Sequence, residues 1–163
     1  MERTIRIVRH AAHDYPRDSL TEKGVSDANG MRVEVQEFNR TVSSPKNRAM
    51  QTAVALGKTP EVDPRLDELE DPDIYMPTAE EYVHELYRIR LEKLLEYAKR
   101  VREVMFEQEE DALLVSHGAV MSACLYILTG KEEIVTFGHL EGFTLNRSDT
   151  VNQTEPRIKI NKR

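Results

Sequence analysis

Ala112-Leu113-Leu114-Val115-Ser116, preceded by Asp111 and followed by His117-Gly118, is the stretch that decides the fold. Its apolar run is unbroken rather than alternating. That is the pattern of a strand covered on both faces, and helices on either side of a parallel sheet supply such cover. Immediately downstream, a helix is expected from about Ala119 to Leu128, stopped by Gly130. Beyond it, Phe143 to Arg147 and Arg157 to Ile160 read as two edge strands.

Upstream, Tyr87, Leu91, Leu94, Ala98, Val101 and Met105 step by four and three residues, one face of a long amphipathic helix. Thr78-Ala79-Glu80-Glu81 is its capping box. The same stripe could serve a coiled coil, but about three heptads with Ala at one seam position fit core packing better. An acidic, proline-punctuated loop from Pro64 to Pro77 precedes it, and before that Glu61-Val62-Asp63 and Thr41-Val42-Ser43 read as short strands. Ser44-Pro45 offers a cap and a first-turn proline for a helix carrying Ala49, Ala53 and Leu56. Thr21 is an N-cap for a helix whose face holds Val25, Ala28, Met31 and Val35, and Thr4-Ile5-Arg6-Ile7-Val8 is the first strand. Strands alternating with helices predict an α/β fold: a three-layer α/β/α sandwich with a mainly parallel central sheet. With no repeat or linker, residues 1–163 are expected to form a single domain.

Composition narrows the function. The 163 residues are 39% hydrophobic and 32% charged, with a net charge of −6 that gives nucleic acid or an anionic membrane no general attraction. The apolar runs are too short for a membrane helix, and the first residues lack a signal peptide's apolar core. A single cysteine, Cys124, makes no internal disulfide. These features predict a cytoplasmic protein.

In a parallel sheet, ligands bind beyond the carboxyl ends of the strands. The first strand runs into Arg9-His10, the second into Ser43-Ser44-Pro45 and Arg48, and the buried one into Ser116-His117-Gly118. Groups able to carry or share positive charge thus converge on one edge beside two helix N-termini, an arrangement suited to an oxyanion. Each has a plainer role when taken alone. Arg9 and Arg48 could be solvated cations, His10 and His117 polar residues at strand ends, and Ser43 and Ser44 turn formers.

The chain also resembles the phosphoglycerate mutase-like branch of the histidine phosphatase superfamily. Ile7-Val8-Arg9-His10-Ala11 is similar to that family's Arg-His-Gly signature, and Leu20-Thr21-Glu22-Lys23-Gly24 to its Leu-Thr-x-x-Gly helix start. The stretch from Ser43-Ser44-Pro45 through Arg48 to Ala53 resembles its second block, Leu66-Asp67-Glu68 the site of its acid, and Val115-Ser116-His117-Gly118 its last histidine block. The resemblance implies a sandwich fold and a phosphatase that forms a phosphohistidine on His10. Arg9, Arg48 and His117 would bind the phosphoryl oxygens, Gly118 would let the helix approach closely, and Glu68 would donate the proton. His10 must be neutral to attack, with its other nitrogen donating to a backbone carbonyl. No metal or other cofactor is implied, because the protein supplies the positive charge.

Three departures stand out. Ala11 replaces the usual glycine, and Ala12 replaces a polar residue whose contact His13 or Asp14 could assume. The aromatic and glycine residues usual after the acid are absent, and Asp67, Glu70 and Asp71 are rivals to Glu68. The expected partner is a small phosphorylated metabolite or a phosphohistidine protein. The other readings are a phosphoglycerate mutase, a phosphohistidine-protein phosphatase and, from a different class, a non-catalytic phosphate-sensing or scaffold module. Oligomeric state is not encoded in any readable motif.

Overall fold

The computed structural model describes residues 2–69, 79–130, 135–148 and 157–163, with backbone alone over 79–92. The elements run β1 (Glu2–Arg9), β2 (His13–Asp14), β3 (Ser19–Leu20), α1 (Glu22–Gly30), α2 (Arg32–Val35), β4 (Arg40–Ser43), α3 (Asn47–Ala55) and β5 (Glu61–Val62). A 3-10 turn (Pro64–Leu66) follows, then α4 (Ala79–Glu107), β6 (Ala112–Ser116), α5 (Gly118–Thr129), β7 (Gly142–Ser148) and β8 (Arg157–Asn161).

The apolar run is indeed central. β6 lies between β4 and β1, parallel to both, in a six-stranded sheet of order β5-β4-β6-β1-β7-β8. Every residue of β6 is buried. Alternate side chains of a strand point to opposite faces, and the core divides accordingly. Ile5, Ile7, Ala112 and Leu114 pack with Leu94, Ala98, Val101 and Met105 of α4 and with Val120 and Cys124 of α5. Val8, Leu113 and Val115 pack with Ala28, Met31 and Val35 on one side and Ala49, Ala53 and Leu56 on the other. The result is the α/β/α sandwich expected, with a mostly parallel sheet.

Several local expectations change. The helix begun at Thr21, whose hydroxyl accepts the Gly24 N–H, ends at Gly30, and α2 carries Val35 separately. Val25 is 39% exposed and so is not part of the buried face. α3 starts at Asn47 rather than beside Pro45, and Ser44 does not cap it. β7 is not an edge, because it pairs antiparallel with β1 on one side and β8 on the other. The helix after β6 begins at Gly118 and closes on Gly130, which takes the left-handed conformation that glycine adopts without steric cost. The capping box at Thr78, the side chains of Tyr87 and Leu91, and Glu70 and Asp71 fall outside the described residues. Among the described residues, no helix is long and apolar enough to cross a membrane.

Candidate active site

Because β6 sits between β4 and β1, three carboxyl ends lie side by side: Arg9 is opposite Ser116, and Ser43 opposite Val115. The chain leaves each strand while still bonded to its neighbour. The His10 N–H donates to the Ser116 carbonyl at 3.1 Å, and the Ser44 N–H to that of Val115 at 2.9 Å. His10, Ser44 and His117 are thereby brought together, all nearly or fully buried.

His10 is held in one state. Its Nδ1 lies 2.9 Å from the carbonyl of Ala11, which accepts only if Nδ1 carries the hydrogen. Nε2 is then the lone-pair nitrogen, and it accepts from Arg48 Nε at 3.3 Å. Burial, outweighing the Ala11 hydrogen bond and reinforced by the Arg9 and Arg48 charges, pushes the His10 pKa down to about 3. The ring is therefore neutral near pH 7.

His117 is fixed from the other side. Its Nε2 is 2.8 Å from Ser44 Oγ, which itself accepts the Lys46 N–H at 3.2 Å. With that acceptor position filled, the Ser44 hydrogen points at His117 Nε2 and the imidazole hydrogen resides on Nδ1. Nδ1 is buried and has no partner among the described residues. A buried donor without an acceptor is costly, and an anion would satisfy it. Arg9 presents a second such donor. Its Nη1 is anchored on the Phe137 carbonyl at 2.8 Å, leaving Nε buried and without a partner among the described residues. Gly118 makes room for this guanidinium, since a Cβ there would stand 3.3 Å from Arg9 Cδ.

Arg48 links the site to two carboxylates. Its Nη1 meets Asp18 at 2.6 Å, and its Nη2 makes a short ion pair with Glu68. Glu68 is positioned by the turn before it, where the Leu66 carbonyl accepts the Ser116 hydroxyl at 2.7 Å. Asp67 is turned away: it accepts the Glu68 N–H at 2.7 Å and faces Lys46 at 3.9 Å.

The sequence reading missed Asp18, His13 and His139. Asp18 lies in the turn between β2 and β3 and supplies the cap that Ser44 does not, accepting the Asn47 N–H at 2.9 Å. Partial burial raises its pKa, but the Arg48 hydrogen bond and charge together with the helix N–H groups bring it below the usual carboxylate value. His13 and His139 stack around His10, with ring centroids 4.9 and 5.8 Å away. The β2–β3 hairpin is tied to α1 at Ala12, whose carbonyl accepts the Thr21 N–H at 3.0 Å. A Cβ on Gly24 would come within 2.1 Å of that oxygen, which explains glycine at the third position after Thr21. No motif announces His13 or His139; the signal available was only two histidines near strand ends.

The family model for the histidine phosphatase superfamily, branch 1, matches residues 5–148. The chain belongs to this superfamily. Similar solved folds include an Entamoeba histolytica phosphoserine phosphatase in complex with 3-phosphoglyceric acid (TM-score 0.76, 17% identity, 98% of this chain and 97% of that one). A mycobacterial glucosyl-3-phosphoglycerate phosphatase is similar too (TM-score 0.72, 20% identity, 98% and 97% covered). Its complex with VO3 matches with a TM-score of 0.69 at 21% identity over 97% of each chain. No curated protein sequence matches significantly. At these identities the structures establish the histidine phosphatase fold and leave the substrate to the site's own chemistry.

Proposed function

We propose that the protein is a phosphatase that hydrolyses a small phosphorylated metabolite through a phosphohistidine on His10. The carrying observation is the state of His10: Nδ1 is tied to Ala11, Nε2 is free to attack, and unpartnered donors of Arg9 and His117 stand nearby. Nε2 attacks phosphorus, and the ester P–O bond breaks as the P–N bond forms. Arg9, Arg48 and the His117 Nδ1–H bind the oxygens over which negative charge spreads. Glu68 gives its proton to the departing alkoxide. Water then attacks phosphorus, Glu68 recovers a proton, and the P–N bond breaks to release phosphate and neutral His10. No step calls for a metal or other cofactor.

Glu68 is favoured over Asp67 because its carboxylate reaches Arg48, which itself touches His10, whereas Asp67 faces the backbone and Lys46. The phosphatases of the same fold, one holding 3-phosphoglyceric acid, support a small phosphorylated substrate over a protein. We further propose that the whole chain acts as one cytoplasmic domain. Rapid acid–base quench of the enzyme with labelled substrate should trap a base-stable, acid-labile phosphoenzyme, absent from His10→Ala. Turnover or label retained in His10→Ala would refute the proposal.

A further inference from the structure

Three histidines meet where the family signature accounts for only one. One nitrogen each of His10, His13 and His139 lies within 4.8 Å of the other two. The three come from separate segments: the end of β1, the β2–β3 hairpin, and the loop before β7. Two independent constraints bring the outer pair in. The hairpin is fixed by Asp18 on Arg48 and Asn47. The loop bearing His139 is fixed by Arg9, whose Nη1 holds the Phe137 carbonyl and whose own carbonyl accepts the Leu140 N–H at 3.0 Å.

We propose that His10, His13 and His139 form a binding site for a divalent transition ion of the zinc type, and that the bound ion blocks phosphoryl transfer by occupying the nucleophilic nitrogen. Imidazole nitrogens suit zinc, copper and nickel rather than magnesium or calcium, which prefer oxygen. A ligating histidine characteristically donates its other N–H to a carbonyl. His10 already does so through Nδ1, and the same bond that prepares Nε2 to attack phosphorus prepares it to hold a metal. The Nδ1 of His13 is buried without a partner among the described residues. Zinc–nitrogen bonds of about 2.0–2.1 Å place tetrahedral ligand atoms about 3.4 Å apart. The three nitrogens therefore need to close by little more than an ångström. His139 is exposed and His13 half-buried, so rotation of these rings meets little packing.

Charge sets the strength. Arg9 and Arg48 stand close by and oppose a cation, but Arg48 is paired with both Asp18 and Glu68. Binding also takes Nε2 from the Arg48 Nε hydrogen bond. The site should accordingly be of moderate affinity and reversible by chelators, a brake rather than a resident cofactor. The blocking part of the proposal rests on the phosphatase reading; the binding part does not.

The test uses the chelator-stripped full chain and zinc chloride competing with a chromophoric zinc indicator. One ion per chain with Kd below about 100 µM is expected, weakened at least about tenfold in His13→Ala and in His139→Ala, with circular dichroism melts checking the fold of each. Asparagine at either position serves as the second variant should an alanine fail to fold. In parallel, zinc at saturating concentration should suppress turnover of p-nitrophenyl phosphate, and EDTA should restore it. Vanadate, by occupying the same pocket, should weaken zinc binding. No binding, or binding unchanged in folded variants at both positions, would overturn the site. Binding with full turnover would overturn the block. A chain that binds zinc yet never hydrolyses a phosphate ester would refute the phosphatase reading and leave the metal site standing.

Discussion

Replacing Ser44 with alanine tests whether a tautomer is held in place for phosphate binding. Ser44 Oγ is buried 2.8 Å from His117 Nε2, and the Lys46 N–H fills one of its acceptor positions. The serine hydrogen therefore goes to Nε2, and the His117 hydrogen stays on Nδ1, facing the site without a partner. In Ser44→Ala, Nε2 becomes a buried acceptor without a donor, which costs about 1–3 kcal/mol. The imidazole can relieve that cost by moving its hydrogen to Nε2, but Nδ1 then turns a lone pair toward the phosphoryl oxygen. Loss of one such transition-state donor is worth about 10²–10³ in rate. Partial retention of the original tautomer reduces this, so kcat/KM should fall by about 10–300-fold. Steady-state kinetics on p-nitrophenyl phosphate, with a melting curve to establish folding, measures the effect. His117→Ala should lose no less than Ser44→Ala, and the double variant should lose no more than His117→Ala, because both act through one donor. Full activity in a folded Ser44→Ala protein, or multiplicative losses in the double variant, would refute the tautomer argument.

Other expectations follow from the same geometry. Glu68→Gln should slow alkyl phosphates by about 10²–10⁴-fold but leave p-nitrophenyl phosphate within about tenfold, since p-nitrophenolate departs without a proton; equal losses on both would assign Glu68 to positioning Arg48 instead. Asp18→Ala removes the distant cap of α3, about 1 kcal/mol or some 2–4 °C in Tm for a chain of this size, and Asp18→Asn should recover much of it. Calorimetry of the two variants decides that prediction. The folded-state pKa values of His10 (about 3) and His139 (about 4) are lowered, as is that of His117, so unfolded chains bind more protons as pH falls through about 6.5. Stability should thus be greatest above that pH and decline toward pH 4, with His10 alone contributing up to about 1.4 kcal/mol per pH unit. Urea midpoints that stay level between pH 7 and pH 4.5 would contradict it.

The fold was legible because its signals are local. The unbroken run from Ala112 to Val115 can only be satisfied between two helical layers, and the spacing of Leu94, Ala98, Val101 and Met105 supplies one of them. The strand ends carrying Arg9-His10 and Ser116-His117 were legible for the same reason, since a strand's direction fixes which end bears the ligand. Capping was not. Ser44-Pro45 looks like a helix start, but the hydroxyl is drawn to His117, seventy-three residues on, and Asp18 caps α3 from a hairpin that no hydrophobic period reveals. β7 reads as an edge strand by composition, yet an edge is defined by neighbours, and β8 covers it. His13 and His139 carry no spacing that relates them to His10. Their meeting depends on Arg9 and Arg48 holding a loop and a hairpin over the strand ends. Sequence alone determined the layers and the nucleophile's address, because periodicity and strand polarity act over a few residues. Tertiary structure decided which groups share hydrogens, and hence which nitrogen can attack, because those choices are made by partners brought together only when the chain folds.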